Sequence, residues 1–165
     1  MAETVHLFLK INGNAVKGES TQTSLGREGS IECISYEMSV TSAREAATNL
    51  VTARRQFSPL RIIKRVDRSS PLLVAALSQN QKIDGVFKFF RPNPSGDGTT
   101  EQYFTVEIKE GNVASVKQFV PSTIQKDTAG EPPQEEVTFV FKTITWTYTN
   151  GGVTHTDSWS GEGGR

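Results

Sequence analysis

The residue types that most often perform nucleophilic or metal chemistry are few in this chain. It has two histidines, His6 and His155, and a single cysteine, Cys33. The histidines are far apart, and neither has a cysteine or carboxylate at metal-ligand spacing, so we interpret both as surface or structural residues. Cys33 lies in the middle of a strand pattern, where a small buried or half-buried side chain is the simplest interpretation. A single cysteine also excludes an internal disulfide and a cysteine-rich zinc site.

Serines and carboxylates give no stronger signal. Ser69 and Ser70 lie outside any G-x-S-x-G sequence, the pattern that places a nucleophilic serine on a strand-to-helix turn. Residues 26–29 lack the G-x-x-x-x-G-K-[ST] pattern of a phosphate-binding loop and indicate a turn. Glu135 and Glu136 are typical of solvated neighbouring acids, although spacing alone does not exclude a pair of glycosidase carboxylates. The sequence therefore predicts no enzymatic activity and no catalytic, cofactor-binding or metal-binding residue.

Six basic residues form a local cluster, with Asp67 as the one acid among them. They are Arg54, Arg55, Arg61, Lys64, Arg65 and Arg68. A nucleic-acid surface looks like this locally, but the whole chain has 18 basic and 18 acidic residues, so no global field favours nucleic acid. We interpret the cluster as a solvated face, or as a contact with acids of a neighbouring copy. The candidate acids are Glu19, Glu28, Glu131 and Glu135.

Length and composition favour one domain with no membrane insertion. The chain has 165 residues, of which 35% are hydrophobic. Its first residues contain neither the basic nor the apolar region of a secretory signal peptide, and no run of about 18 apolar residues occurs. We expect a protein that is made in the cytoplasm and that reaches any other compartment without a cleaved signal.

The apolar pattern predicts strands for most of the chain. Val5, Leu7, Leu9 and Ile11 alternate with other side chains, the period of two that is typical of a strand. Further strands are predicted at residues 30–40, 60–66, 86–90, 102–109, 113–120, 137–148 and 153–159. Residues 44–55 have few apolar side chains to anchor a helix, and we interpret them as an extended, mobile loop.

One helix is predicted, at residues 70–79. Ser69 or Ser70 is expected to accept a hydrogen bond from the first turn, and Pro71 fits the first helical position. Leu72, Leu73, Ala76 and Leu77 have the spacing of a single apolar face. The predicted fold class is therefore an all-β barrel or sandwich with one α-helix packed against it. We expect a single domain over residues 1–160 and a disordered tail at residues 161–165.

The segment from Lys64 to Leu73 (KRVDRSSPLL) carries a resemblance to a known family. It resembles the K-x-x-D-x-S-S-P-L-L segment of the Hcp family (haemolysin-coregulated protein), which supplies the tube subunit of the bacterial type VI secretion system. Other matching pieces occur in the family's order along nearly the whole chain: residues 8–11, 17–20, 31–36, 57–60, 113–116, 136–139 and 144–148. Residues 41–57 depart from it, because they are rich in Ala, Arg and Thr where many members have more glycine and histidine.

The resemblance implies a ring-forming structural subunit. Family members form homohexameric rings that stack into a tube, and the tube is secreted inside a contractile sheath with a VgrG-type spike at its tip. Sheath and baseplate components and small effector proteins carried in the lumen are then the expected partners. By resemblance, residues 41–57 are the candidate ring-stacking loop, with Arg44, Arg54 and Arg55 as contacts. Ser35 and Glu37 are the candidate lumen-facing residues.

Two other functions compete with the tube subunit. A monomeric β-sandwich carbohydrate-binding module would use Trp146, Tyr148 and Trp159, near one hairpin, to stack a sugar. The simpler interpretation is that these residues pack in the core or at an interface. A glycoside hydrolase would need two facing carboxylates, for which the sequence gives no positive signal.

Overall fold

The structure is a computed structural model that describes residues 3–160. The strands are β1 (Thr4–Ile11), β2 (Asn14–Val16), β3 (Ile31–Glu37), β4 (Val40–Thr41), β5 (Gln56–Phe57), β6 (Leu60–Arg65), β7 (Ile83–Pro92), β8 (Thr100–Phe119), β9 (Gln134–Val140), β10 (Thr143–Tyr148) and β11 (Val153–Ser158); the helix α1 (Ser70–Ser78) lies between β6 and β7. Residues 161–165, for which a disordered tail is predicted, lie outside the described residues.

The strands form a closed antiparallel barrel. Around it the order is β8, β7, β1, β3, β6 and β9, and β9 pairs with β8 to close the sheet. Strand β2 is added to the end of β1, and the β10–β11 hairpin is added to β8. Closure leaves few free edges, which removes most sites of unwanted strand pairing. The predicted fold class, a β-rich barrel with one helix, is confirmed.

Strand β8 corrects one prediction, because residues 102–109 and 113–120 belong to a single strand. Residues 100–111 pair with β7, and residues 112–119 pair with β9. The strand turns from one partner to the other at Glu110, whose φ is 51°, and the Glu110 amide donates to Asp84 Oδ1 at 3.0 Å. At Gly111 a Cβ would lie 2.5 Å from the carbonyl oxygen of Val140. Gly111 therefore permits a close approach of two strands.

Two other strand predictions were too long. Residues 137–148 divide into β9 and β10 around buried Phe141, which is 4% exposed. The predicted strand at residues 30–40 ends at Glu37, and Val40 pairs instead with Phe57. In both places continuous β-branched and aromatic composition hides a change of partner, because strand propensity does not depend on which strand lies opposite.

The inward-facing side chains of the barrel form one core, which α1 closes at one end. Leu73 and Ala76 of α1 are fully buried. Leu72, Val74 and Leu77 are 47%, 40% and 38% exposed. Leu73 and Ala76 therefore lie buried in the middle of the predicted apolar face, and Leu72 and Leu77 lie partly exposed at its two borders. The nine-residue helix covers the barrel end with a narrow stripe, and apolar side chains on both sides of that stripe stay partly exposed.

The predicted serine cap of α1 is also wrong. Neither serine accepts a hydrogen bond from the first turn. Instead, Asp67 Oδ1 accepts from the amide of Ser69 at 2.8 Å, and Ser70 Oγ accepts from the amide of Asp67 at 3.0 Å. The serine hydroxyls are directed toward a buried ionic network, described below, rather than toward the helix backbone.

Candidate functional site

Residues 40–57, which we call the arm, extend from the barrel as a two-stranded ribbon. Strands β4 and β5 pair at its base, with Val40 opposite Phe57, and Arg44 forms a bridge with Val51 farther out. The tip is closed by a hydrogen bond of 2.8 Å from the amide of Asn49 to the carbonyl of Glu45. The predicted extended loop is thus a hairpin.

The arm beyond its base has no packed face. Every residue from 41 to 54 is exposed, and near the tip Leu50 and Val51 are 63% and 58% exposed. A two-stranded ribbon without a buried face is marginally stable in water. An exposed apolar tip of this kind is typical of a surface that binds a partner.

The base of the arm is fixed to the barrel by an ion pair and by aromatic packing. Arg55 Nε donates to Asp157 Oδ2 at 2.6 Å, and a second nitrogen of the guanidinium donates to Oδ1, which makes the pair bidentate. Asp157 belongs to β11, and its pKa is held below its usual value, chiefly by the hydrogen bond from Arg55. Phe57 stacks on Trp159 with a centroid distance of 5.9 Å. These contacts set the direction in which the arm leaves the barrel.

The three arginines predicted for ring stacking have different environments. Arg44 is exposed and donates to the carbonyl of Asn49 at 3.2 Å. Arg54 is exposed on the outer part of the arm. Arg55 is half-buried and is engaged by Asp157 within the same chain. Arg44 and Arg54 are therefore accessible to a neighbouring molecule, whereas Arg55 is a residue of the arm's base.

The two residues predicted for the lumen lie on β3, and both are exposed. Glu37 accepts from Arg61 at 3.0 Å, and Arg61 also contacts Glu136 at 3.1 Å. Ser35 lies opposite Ile63 of β6. The two side chains share the outer face of a barrel strand, so an assembly can place them along one wall.

A buried ionic network lies under α1 and is built from the segment that carries the family resemblance. Lys64 is fully buried, and its ammonium donates to Asp67 Oδ1 at 3.0 Å, to Ser70 Oγ at 3.3 Å and to Glu135 Oε1. Ser70 Oγ also donates to Glu135 at 2.7 Å, and Gln118 Nε2 donates to the other oxygen of Glu135 at 3.1 Å. The network ties β6, α1, β8 and β9 together.

This network gives a physical reason for the K-x-x-D-x-S-S-P pattern. A buried ammonium needs oppositely charged and hydrogen-bonding partners, because an unpaired charge in the interior is very unfavourable. Asp67, Ser69 and Ser70 supply those partners at the start of α1, since Ser69 donates to Asp67 as well. The motif is structural chemistry that positions the helix.

Glu135 is the functional residue that the sequence interpretation missed. It is fully buried, although it was interpreted as a solvated acid. The signal was present in the period of two, because Glu135, Val137 and Phe139 alternate and all three point inward. A carboxylate in phase with core residues indicates a buried partner of opposite charge.

The basic cluster is largely neutralised within the chain. Lys64 pairs with Glu135, Arg65 with Glu32, and Arg68 lies 3.6 Å from Glu19. Glu19 and Glu135, which were candidates for contacts with a neighbouring copy, therefore have partners in the same chain. The basic cluster was interpreted as a solvated face, and this interpretation is wrong at Lys64, which is buried.

The aromatic residues considered for sugar stacking pack against the core. Trp146 and Trp159 are partly buried against the core, and both stack on the Phe57 ring, with centroid distances to it of 6.3 Å and 5.9 Å. Tyr148 is separate from them, and its hydroxyl accepts from Arg91 at 3.2 Å. The three rings do not share one exposed platform.

Cys33 is buried, and burial raises the pKa of its thiol to about 12. Among residues 3–160, no group of three or more His, Cys, Asp and Glu side chains is arranged to hold a metal ion. In the same part of the chain, no helix is long and apolar enough to cross a membrane.

These features define a class: a β-barrel domain with a capping helix, a buried ionic network and a projecting arm. The family model described as "Type VI secretion system effector, Hcp" matches residues 8–148. The chain therefore belongs to the Hcp family of type VI secretion proteins.

Individual relatives agree with this assignment. The chain is 27% identical over 135 residues to the "Major exported protein" of Pseudomonas aeruginosa, a match that covers 81% of this chain and 77% of the relative. The solved Hcp1 protein of E. coli EAEC 042 pathovar is 28% identical, with a TM-score of 0.82 over 96% of this chain and 99% of the other. The secreted protein Hcp3 of P. aeruginosa, at 20% identity and a TM-score of 0.75 over 96% and 99% of the two chains, shows the same fold.

Proposed function

We propose that this chain is the structural subunit of a type VI secretion inner tube, without enzymatic activity. Six copies form a ring, rings stack into a tube, and the tube is exported without a cleaved signal peptide. The name of the P. aeruginosa relative, a major exported protein, supports export. A VgrG-type spike, sheath and baseplate components and small effectors in the lumen are the proposed partners.

The arm is the observation that carries the proposal. Its residues 41–54 are all exposed, and near its tip are Leu50 and Val51, more than half exposed. A monomer gains nothing from such a ribbon, because it buries no apolar surface of its own. A contact with another subunit explains both its length and its apolar tip.

The position of the arm relative to α1 supports stacking in one direction. The arm joins the barrel next to Leu60, the first residue of β6, and α1 follows Arg65, the last residue of β6. The two features therefore lie at opposite ends of that strand. Copies repeated in the same orientation bring the arm of one toward the helix end of the next, which is the head-to-tail contact that builds an open stack.

The exposed apolar side chains of α1 are the proposed receptor for the arm. Leu72, Val74 and Leu77 present apolar surface there, and α1 has no basic residue in its last turn. The carbonyl end of a helix attracts cations, so Arg54 of the arm has a favourable position next to it. Ser35 and Glu37 are the proposed lumen residues, where they would contact carried effectors.

Light scattering behind a sizing column, with negative-stain imaging of the same peak, tests the proposal. A mass near six subunits and annular particles are expected. A monomer over a wide range of protein concentration would contradict the assembly and leave only the fold in common with the family.

A further inference from the structure

His6 has an unusual environment for one of only two histidines in the chain. Its side chain projects from β1, is fully buried, and contacts the segment of residues 17–30, which we call the cover segment. Its ring packs in a T-shaped arrangement against Phe90, with a centroid distance of 5.5 Å. Nδ1 lies 3.0 Å from Ser30 Oγ and 3.3 Å from Ser20 Oγ, both in the cover segment.

The hydrogen bonds of the two serines favour one tautomer of the neutral His6 ring. Ser30 Oγ donates its only hydrogen to the carbonyl of Arg27 at 2.7 Å, and Ser20 Oγ donates to the carbonyl of Gln22 at 2.8 Å. Both hydroxyls are therefore acceptors toward His6, since a hydroxyl has a single hydrogen. On this hydrogen-bond network we assign the ring proton of neutral His6 to Nδ1 and the lone pair to Nε2.

The Nε2 atom has no hydrogen-bond partner among residues 3–160, although it is buried. A neutral imidazole tolerates this position, because a bare lone pair beside an aromatic ring is a modest loss. An imidazolium does not, because protonation creates a buried N–H donor and a positive charge without an acceptor.

The charged groups that face His6 do not compensate for protonation. From β3, Glu32 favours the charged ring, but its carboxylate already accepts from Thr21 and contacts Arg65 at 3.5 Å. In the cover segment, the buried Arg27 disfavours the charged form of the His6 ring. On β7, Lys88 lies opposite His6, and its ammonium lies over the Phe8 ring. Burial is the largest cause of a lowered pKa for His6, and Arg27 acts in the same direction.

We propose that His6 is an acid-sensitive latch that holds the cover segment closed while the ring is neutral. Below the ordinary pKa of histidine, the proton binds preferentially to the open form, in which Nε2 reaches water. The cover segment also forms one wall of a surface groove of about 860 Å³, through Lys17, Glu28 and Gly29. Opening the latch therefore remodels that groove.

The direction of the pH dependence follows from linkage. The pKa is lower in the closed form than in the open form, so the latch is fully stabilising above about pH 6.5 and weakens as the pH falls below it. The opening equilibrium is expected to rise about tenfold per pH unit until the lower pKa of the closed form is reached.

Amide hydrogen exchange of the full chain tests the latch. Protection of residues 17–30 is measured between pH 7.5 and 5, relative to the exchange of an unstructured peptide with the same sequence. Wild type is expected to lose protection below about pH 6.5. His6→Asn keeps a donor near the position of Nδ1 and cannot be protonated, so it is expected to have pH-independent protection.

His155→Asn is the matched control, since it removes the other histidine, which stacks on Trp146. It should keep the wild-type response. The proposal is overturned if wild type keeps full protection to pH 5, or if His6→Asn and wild type respond alike. An NMR spectrum of the wild-type imidazole nitrogens gives a test that needs no variant: a proton on Nε2 at pH 7.5 would also refute the latch.

Discussion

At the scale of single residues, the fully buried ion pair between Lys64 and Glu135 makes the fold sensitive to the loss of either partner. Glu135→Gln leaves the Lys64 ammonium in the interior with less compensation, and removal of one partner of a buried pair costs about 3–5 kcal/mol. Urea unfolding should show that loss as a lower midpoint with an unchanged slope.

Glu136→Gln is the matched control for this prediction. Glu136 is the next residue and pairs with Arg61 at the surface, where the side chain of Glu136 is 27% exposed and that of Arg61 is 40% exposed. Loss of this surface pair should cost less than about 1 kcal/mol. Equal effects of the two substitutions would contradict the buried network. The double substitution Lys64→Met with Glu135→Leu should be milder than Glu135→Gln, because it removes both charges together.

The thiol of Cys33 should be inert in the folded protein. Its raised pKa leaves almost no thiolate at neutral pH, and the thiolate is the reactive form. A disulfide reagent is therefore expected to modify it only as fast as the chain unfolds, with complete modification in denaturant. Fast stoichiometric labelling of the native protein would show that the site is accessible.

The sequence predicted the environment of Cys33 but not that of Lys64 or Glu135. A lone cysteine within a strand pattern usually packs in the core, and this one does. Buried charges are rare, so composition favours exposure for every lysine and glutamate. The alternation of Glu135 with Val137 and Phe139 indicates an inward side chain, but its partner Lys64 is 71 residues away in the chain, and no local pattern identifies that partner.

At the scale of elements, Arg54 and Arg55 should have separable effects on the arm. Arg54→Glu changes an exposed charge on the outer arm and should weaken stacking while rings stay intact. Arg55→Glu places a carboxylate against Asp157, which is 10% exposed, and should loosen the base of the arm as well. Sedimentation of tubes, together with the ring mass in solution, measures both effects.

Reversing the charges of the Arg55–Asp157 pair distinguishes the role of Arg55 from that of Arg54. Adding Asp157→Arg should restore stacking to the Arg55→Glu variant, because the ion pair re-forms with its charges reversed. The same addition should not rescue Arg54→Glu. If Asp157→Arg rescues both variants or neither, the ion pair with Arg55 does not orient the arm.

The elements themselves were predicted where their pattern is local. The β1 alternation, the single helix and the loop character of residues 44–55 all follow from neighbouring side chains, and the structure contains each. Boundaries failed where a strand changes partner, as β8 does at Glu110, because pairing partners are set by tertiary structure. The partial exposure of Leu72 and Leu77 was missed for a related reason, since periodicity identifies an apolar face but not how much of it is covered.

At the scale of the whole molecule, the proposed contact between the arm and α1 makes stacking directional. Two variants should each block it: Leu50→Asp with Val51→Asp on the arm, and Leu72→Asp with Leu77→Asp on the helix. All four side chains are more than a third exposed, so the subunits should fold and form rings. Leu25→Asp, at a residue 57% exposed outside both surfaces, is the control and should leave tubes unchanged.

Mixing the two kinds of defective ring tests the direction of the contact. Rings with a defective arm still have an intact helix face, and rings with a defective helix face still have intact arms. The intact arms of one ring can therefore bind the intact helices of a ring of the other kind. The resulting pair presents only defective arms at one end and only defective helices at the other. Negative-stain images of the mixture should show stacks of two rings and no tubes, whereas each variant alone shows single rings. Tubes in the mixture, or single rings only, would mean that the arm does not bind the α1 face of the next ring.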